Sequence, residues 1–389
     1  MRIVLAEQPQ REALGLTGKL EGFLLTRPET PILAVDLDVI EARYHELRAC
    51  FPRESVYYAV KANPAPQVVG VLETLGASFD VASRFELEMC LALGACPSRL
   101  SYGNTIKKAA DIAYAFACGV RRFAFDSEAE LRKLAIHAPS SDVMCRLQTT
   151  GENASWPLSK KFGCDLEMVA ELLLLARGLG LRPVGLAFHV GSQQTDPTQW
   201  RKPLLETAGL FRRLGHEGLA LDTVNIGGGF SVPYETTVPP LWRFAEAIEE
   251  SLGEAFGGSR PEVMLEPGRS LVAEAGVIQT EVVLVAQKSR SDRTRWVYLD
   301  VGKFGGLAET LGESIKYRLR TARTGPPGPI VLAGPTCDSA DILYEKSGYH
   351  LPLDLECGDR IEIVNTGAYS SSYASVNFNG FPPLRTICL

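Results

Sequence analysis

The sequence predicts an α/β fold, a (β/α)8 TIM-like barrel followed by a mostly β domain, and three observations carry that expectation. Eight short apolar, β-branched or aromatic runs alternate with longer amphipathic stretches between Val56 and Arg269. Polar residues fall at the ends of these runs, where a barrel collects its chemistry. Beyond Arg269 the helical stretches stop while the β-rich runs continue. At 389 residues the chain also exceeds the size at which a single core usually stops growing, so two domains are the default.

The eight runs are, in order, "VYYAVKA", "ASFDVAS", "RLSYGN", "RRFAFDS", "DVMCRLQ", "VGLAFHVGS", "LDTVNIGGG" and "EVMLEPGR". Between them lie stretches such as "ELEMCLALG", "EAELRKLAIHA" and "DLEMVAELLLLARGLG", apolar at three- and four-residue spacing as one face of a helix requires. Eight strand–helix units without a crossover-type interruption favour a closed barrel over an open doubly wound sheet. After Arg269, "VIQTEVVLVAQKS", "RWVYLDVG", "PIVLAGPTC" and "DRIEIVNTG" read as strands, with turns such as "SRSDRT" and "RTGPPGP" between them. The expected division is a barrel over residues 30–270 and a β domain assembled from 1–29 and 271–389.

Bulk properties exclude several functions. A net charge of −6 offers no basic field for a polyanion, so nucleic-acid binding is not expected. The opening "MRIVLAEQPQREALG" breaks into charge too early for a signal-peptide core, and no apolar run approaches the ~20 residues a membrane span needs. The nine cysteines are scattered and odd in number, with no CxxC pair. They point to reduced thiols in a cytoplasm rather than to disulfides or a zinc site, and no metal is expected.

The polar residues at the predicted strand ends are Lys61, Asp80, Asn104, Asp126, Arg146, His189, Gly227 to Gly229 and Glu266. A lysine at the end of an interior strand is costly to desolvate unless it has work or a partner. It is either an amine nucleophile for an aldehyde or half of an ion pair with Asp80 or Glu86. The glycine run of "NIGGGF" lets backbone amides close on a phosphate, and Arg269 of "EPGRS" adds a planar fork for its oxygens. Glu266 is placed to meet a ring nitrogen, His189 to stack on a flat ring, and Ser192 to donate to the phosphate. Together these groups describe a site for pyridoxal 5′-phosphate.

The chain resembles the barrel-type (fold type III) pyridoxal-phosphate-dependent amino-acid decarboxylases, most closely the ornithine decarboxylase family. The motifs "YAVKAN", "FDVAS", "FHVGSQ", "NIGGGF", "EPGRS", "GPTCDSAD" and "TGAYSSSYASVNFNGF" carry the resemblance over nearly the whole length. It implies an alanine-racemase-like barrel with a C-terminal β-sandwich or β-barrel domain. It further implies that Lys61 holds the cofactor covalently, Glu266 pairs with the pyridine nitrogen and His189 stacks on the ring. Ser192, Gly228, Gly229, Arg269 and Tyr369 would hold the phosphate, while Asp80 and Glu86 would tune the lysine and histidine. Family members are homodimers with sites at the interface, so Cys337 and Asp338 would reach the partner's cofactor. Cys337 would return a proton to the substrate, and Asp338, Glu313 and Phe378 would contact it.

Two departures stand out. Better-known members carry arginine at the position of Pro157, so Lys160 or Lys161 would have to replace it. Glu313 stands where the second distal acid is usually Asp, and one extra methylene moves the carboxylate by ~1.5 Å. The reaction expected first is decarboxylation of L-ornithine to putrescine, with L-lysine to cadaverine as the alternative. Diaminopimelate or arginine decarboxylation, racemisation and an inactive regulatory homologue follow at a distance.

Overall fold

The computed structural model describes residues 16–156 and 161–389, which form two units. One holds the described residues up to Ile40, Val232–Thr237 and Leu271–Leu389; the other holds Glu41–Ser231 and Val238–Ser270. The first unit opens on helix α1 (Gly18–Leu25), capped by Thr17, whose hydroxyl accepts from Leu20 N at 3.2 Å. Its Leu20 and Leu24 pack with Ala34 of β1 (Ile32–Val35), a strand buried along its whole length. The second unit takes over within helix α2 (Leu37–Cys50).

The second unit is the barrel. Its strands are β2 (Ser55–Ala59), β3 (Ser78–Val81), β4 (Leu100–Tyr102), β5 (Arg122–Phe125), β6 (Asp142–Arg146), β8 (Arg182–Ala187), β10 (Thr223–Asn225) and β11 (Glu262–Leu265). They close in the order β10-β11-β2-β3-β4-β5-β6-β8, every pair parallel. Helices α3 (Pro66–Thr74), α4 (Arg84–Ala92), α5 (Ala109–Ala117), α6 (Glu128–His137), α7 (Leu166–Gly178), α8 (Arg201–His216) and α9 (Leu241–Phe256) alternate with them. Ser83, Ser127 and Asp165 cap α4, α6 and α7, so the turn from strand to helix is written locally. Tyr57, Met144, Val184, Ala187 and Met264 form a buried cluster, and Arg122 donates to the Tyr57 hydroxyl at 2.8 Å. Strands β7 (Ala154–Trp156) and β9 (Ser192–Gln194) pair antiparallel and tie the loop after β6 to the loop after β8.

The first unit is a nine-stranded sheet built from β1 with β12 (Gly276–Ala286), β13 (Arg295–Leu299), β14 (Arg318–Thr321), β15 (Pro327–Ala333), β16 (Ile342–Tyr344), β17 (His350–Pro352), β18 (Arg360–Val364) and β19 (Arg385–Cys388). Strand β12 organises it: residues 277–279 lie between β1 and β18, and from Val282 its second half pairs with β13, with a register shift between Val282 and Leu284. Such an irregularity bends a strand and lets it serve two layers.

Two boundaries differ from the sequence expectation. Strand β1 lies inside the range expected for the barrel but pairs with β12 and β19. A continuous apolar run suits any central strand, so its pattern does not say which sheet it joins. Residues 232–237 also leave the barrel unit: Asn365 Nδ2 donates to Pro233 O at 2.7 Å, and Glu235 N to Lys316 O at 3.1 Å. No described helix is long and apolar enough to cross a membrane.

Candidate active site

The barrel unit carries nine of the expected site residues, seven at the C-terminal ends of its strands or in the loops that follow, and Glu86 and Arg269 in the first turns of helices Arg84–Ala92 and Arg269–Val272. Lys61 lies in the short 3-10 turn Val60–Ala62 that ends β2, with its side chain 48% exposed. Its ammonium is 3.4 Å from Oδ2 of Asp80, which is buried at the end of β3. The other oxygen, Asp80 Oδ1, is buried and accepts no hydrogen bond among the described residues. It lies so close to Gly103 that a Cβ there would sit 2.0 Å from it.

Glu86 approaches from α4. Its Oε2 accepts from Ala82 N at 2.7 Å, while Ser83 caps the helix by accepting from Glu86 N. Burial raises its pKa, the nearby Asp80 charge adds to that, and the Ala82 amide and Lys61 oppose it.

His189 follows β8. Its Nδ1 accepts from Gly191 N at 3.0 Å, which leaves the ring proton on Nε2. Burial, then the positive charges of Arg146 and Lys61, push its pKa down to about 3, so the imidazole is neutral. Glu266 follows β11. Burial and the Asp80 charge lift its pKa to about 7, against the pull of Lys61, Asn225 and Arg146. Asn225 bridges the two loops: its Nδ2 donates to Glu266 Oε1, and its Oδ1 accepts from Gly227 N at 2.9 Å.

The phosphate cradle is a set of close backbone approaches. A Cβ on Gly228 would meet Glu266 O at 2.3 Å, and one on Gly229, at φ +101°, would meet Gly191 O at 2.4 Å. Only glycine fits at either position. Arg269 is 4% exposed, and its guanidinium donates to Ser192 Oγ at 3.1 and 3.3 Å. The serine therefore accepts from arginine and keeps its own O–H to donate outward.

Two polar strand-end residues serve the loops instead. Asn104 donates to Ala82 O at 3.1 Å, and Asp126 accepts from Gly163 N at 2.8 Å. Arg146 is half-buried, and the loss of solvent around its guanidinium lowers its pKa against the pull of Glu266, Asp80 and Asp126. It supplies the positive charge that helps keep His189 neutral. Pro157 and Lys160 lie outside the described residues, and Lys161 Nζ sits 4.9 Å from the Phe162 ring centroid.

The remaining expected residues belong to the β unit. Cys337 is exposed, and its N–H donates to Asn379 Oδ1 at 2.9 Å. Asp338 Oδ1 accepts from Ala340 N at 2.8 Å and closes a tight turn. Asp341, the last residue of "GPTCDSAD", is buried and anchors this loop. It accepts from Thr336 N at 3.1 Å, Thr336 Oγ1 at 2.8 Å and Lys303 N at 2.7 Å.

Glu313, expected to touch substrate, is engaged elsewhere. Its Oε1 accepts from Glu345 N and Lys346 N, both at 2.8 Å, and its Oε2 from the Ser347 hydroxyl. Burial would raise this carboxyl's pKa, but those bonds outweigh it and hold the group below its ordinary value. In this structure Glu313 is a loop anchor. Tyr369 has a left-handed backbone, φ +53°, a strained conformation of the kind found at ligand clamps. Phe378 packs against Phe304, with ring centroids 4.8 Å apart and the planes tilted by 51°.

The barrel residues fit pyridoxal 5′-phosphate. An amine stands beside a buried carboxylate, a carboxyl with a raised pKa and a neutral imidazole lie close by, and a glycine cradle stands with a buried Arg–Ser pair. Asn225, Asp341 and Asn379 were not singled out by sequence reasoning. All three sit inside recognised motifs, but they act by hydrogen bonds that a motif does not display.

Comparison with known proteins agrees. Residues 37–273 match the family described as pyridoxal-dependent decarboxylase, pyridoxal binding domain. The chain belongs to this family of barrel-type pyridoxal-phosphate-dependent decarboxylases and is an ornithine decarboxylase-like carbon–carbon lyase. It is 34% identical to the lysine/ornithine decarboxylase of Selenomonas ruminantium over 365 residues, 94% of this chain and 91% of that one. The structure of SrLDC with PLP and cadaverine superposes with a TM-score of 0.86 at 33% identity, covering 96% of this chain and 94% of that one. The lysine/ornithine decarboxylase of Vibrio vulnificus complexed with putrescine gives the same TM-score and identity, covering 96% and 99%.

Proposed function

We propose that this chain decarboxylates L-ornithine to putrescine and CO2, with L-lysine to cadaverine as the second reaction of the same site. The observation that carries this reading is the barrel constellation around Lys61, joined in the sequence to a Cys–Asp pair on the β unit. Similarity to lysine/ornithine decarboxylases at both the sequence and structure level supports the substrate class.

Pyridoxal 5′-phosphate, when bound, supplies an electron sink for the bond to be broken. Lys61 Nζ would hold its aldehyde. Glu266 would accept the N–H of the pyridine ring, and His189, neutral, would cover the ring without adding charge. Arg269, Ser192 and the amides of Gly228 and Gly229 would hold the phosphate, and the family resemblance adds the Tyr369 hydroxyl to that set. Asp80 and Glu86 tune the lysine.

After CO2 leaves, Cys337 Sγ–H gives its proton to the carbon left behind, and the thiolate recovers a proton from water. Asp338 pairs with the distal ammonium, which selects diamino acids over neutral ones. We place Cys337, Asp338 and Phe378 of one copy over the cofactor of a second, in a homodimer, and the enzyme in the cytoplasm, where nine unpaired thiols stay reduced.

Ornithine and lysine differ by one methylene, worth about 1–3 kcal/mol in a pocket. A panel of ornithine, lysine, arginine and diaminopimelate read by CO2 release tests the reading. Ornithine is expected first, with lysine lower in kcat/KM by roughly 10- to 200-fold at most. Diaminopimelate should not turn over, because Asp338 repels its distal carboxylate. Preferred turnover of diaminopimelate would overturn the assignment. Mixing Lys61→Ala with Cys337→Ala protomers should regain activity if sites are shared between copies.

A further inference from the structure

We infer that Asn379 is a positioning residue that fixes the Cys337 backbone and so aims its thiol; this rests on the reading of Cys337 as the proton donor. Residues 337–340 are all exposed, so packing does little to hold them. Backbone bonds do. Thr336 N is held by Asp341, and the next amide, Cys337 N, is held at 2.9 Å by Asn379 Oδ1. These bonds fix the peptide plane before Cys337, and Asp338 O, accepting from Asp341 N at 3.0 Å, restrains the chain after it, so the Cα–Cβ direction at Cys337 is confined.

The acceptor is presented by a turn that would not form by default. Asn377 and Asn379 both have left-handed backbones, φ +58° and +51°, and Gly380 follows at φ +80°. Side chains other than glycine rarely adopt this conformation, and asparagine tolerates it best. The turn is closed by Gly380 N donating to Asn377 O at 2.9 Å and Phe381 N to Phe378 O at 3.1 Å. It is pinned by the tilted Phe378–Phe304 ring contact and by Ser375 N donating to Phe304 O at 2.9 Å. Strain held in place by these contacts and aimed at one amide beside the thiol points to a functional constraint.

The chemistry explains the need. The proton must reach the substrate's α-carbon and not the cofactor carbon two bonds away. A displacement of about 1 Å is enough to alter such a choice by up to a hundredfold.

Asn379→Gly accepts the positive φ and deletes the acceptor, whereas Asn379→Asp keeps both acceptor and backbone. The first readout is the fraction of turnovers that leave the cofactor in its amine form, which marks protonation at the wrong carbon. The second is the alkylation rate of Cys337 in cofactor-free protein, followed by peptide mass with exposed Cys96 and Cys357 as internal standards.

Asn379→Gly is expected to raise the aberrant fraction about tenfold and to change the Cys337 rate alone, with Asn379→Asp near wild type on both. Should Asn379→Gly fail to fold, Asn379→Ser shortens the acceptor and carries the same test. Unchanged partition and alkylation would overturn the inference. If Cys337→Ala diverts protonation and Asn379→Gly does not, the positioning role alone fails. If Cys337→Ala itself partitions normally, the proton-donor reading fails with it.

Discussion

The barrel rim and the Cys337 loop place their functional groups by opposite means. On the rim, Lys61, Asp80, His189 and Glu266 inherit their positions from parallel strands, and backbone approaches under 2.5 Å to a virtual Cβ leave Gly228 and Gly229 no freedom. On the β unit, Cys337 and Asp338 sit on an exposed loop shaped by side chains that bond to its backbone. Glu313, Tyr369, Asn377 and Asn379 all carry positive φ there. A frame built from strands suits a cofactor that stays bound through every cycle. A loop with few packing constraints suits a substrate that must enter and a product that must leave.

If that division is right, rim variants lose the cofactor and loop variants keep it. Lys61→Ala should give the largest effect: decarboxylation falls to the assay floor while the circular-dichroism spectrum is unchanged, since the half-exposed side chain supports no core. Gly228→Ala comes next. Its Cβ meets the backbone carbonyl of Glu266, which has little room to yield, so cofactor Kd by fluorescence titration should weaken roughly 10- to 100-fold.

Gly103→Ala meets only the end of the Asp80 side chain, which swings aside. Folding and Tm should survive while kcat drops roughly tenfold or more. Asp338→Asn should raise the KM for ornithine about tenfold with cofactor Kd unchanged. Loss of cofactor in this loop variant would break the comparison.

The smallest effect sharpens it through pH. Glu266 has a pKa raised from 4.5 to about 7 in the cofactor-free fold, so that fold holds a proton the unfolded chain has released. Stability from this group is present below pH 4.5 and lost as pH rises through 7. Glu266→Gln should therefore raise the Tm of cofactor-free protein relative to wild type above pH 7 and converge with it below 4.5.

The eight barrel strands were legible because each couples a β-branched or aromatic run to a polar end, a pattern that strand geometry imposes locally. β1 was not assigned to its sheet because its partners, residues 276–279 and 385–388, are remote in sequence and its four residues are uniformly apolar. The strand-end placement of Lys61, Asp80, His189 and Glu266 was readable for the same reason, because each polar residue ends or follows an apolar run. The roles of Asn225, Asp341, Glu313 and Asn379 were not, since an amide or carboxyl reveals its partner only after loops have folded. Glu313 shows this most plainly, because its sequence position suggested a ligand contact and its bonds go to residues 345–347.

The burial of His189 bears on kinetics. With the Arg146 and Lys61 charges close by, it takes this rim imidazole out of titration anywhere near physiological acidity, while the Gly191 amide on Nδ1 fixes the neutral tautomer. A limb near pH 6.5 in a rate profile would ordinarily be credited to histidine. In this enzyme such a limb belongs to another group, and replacing His189 should leave its midpoint where it was.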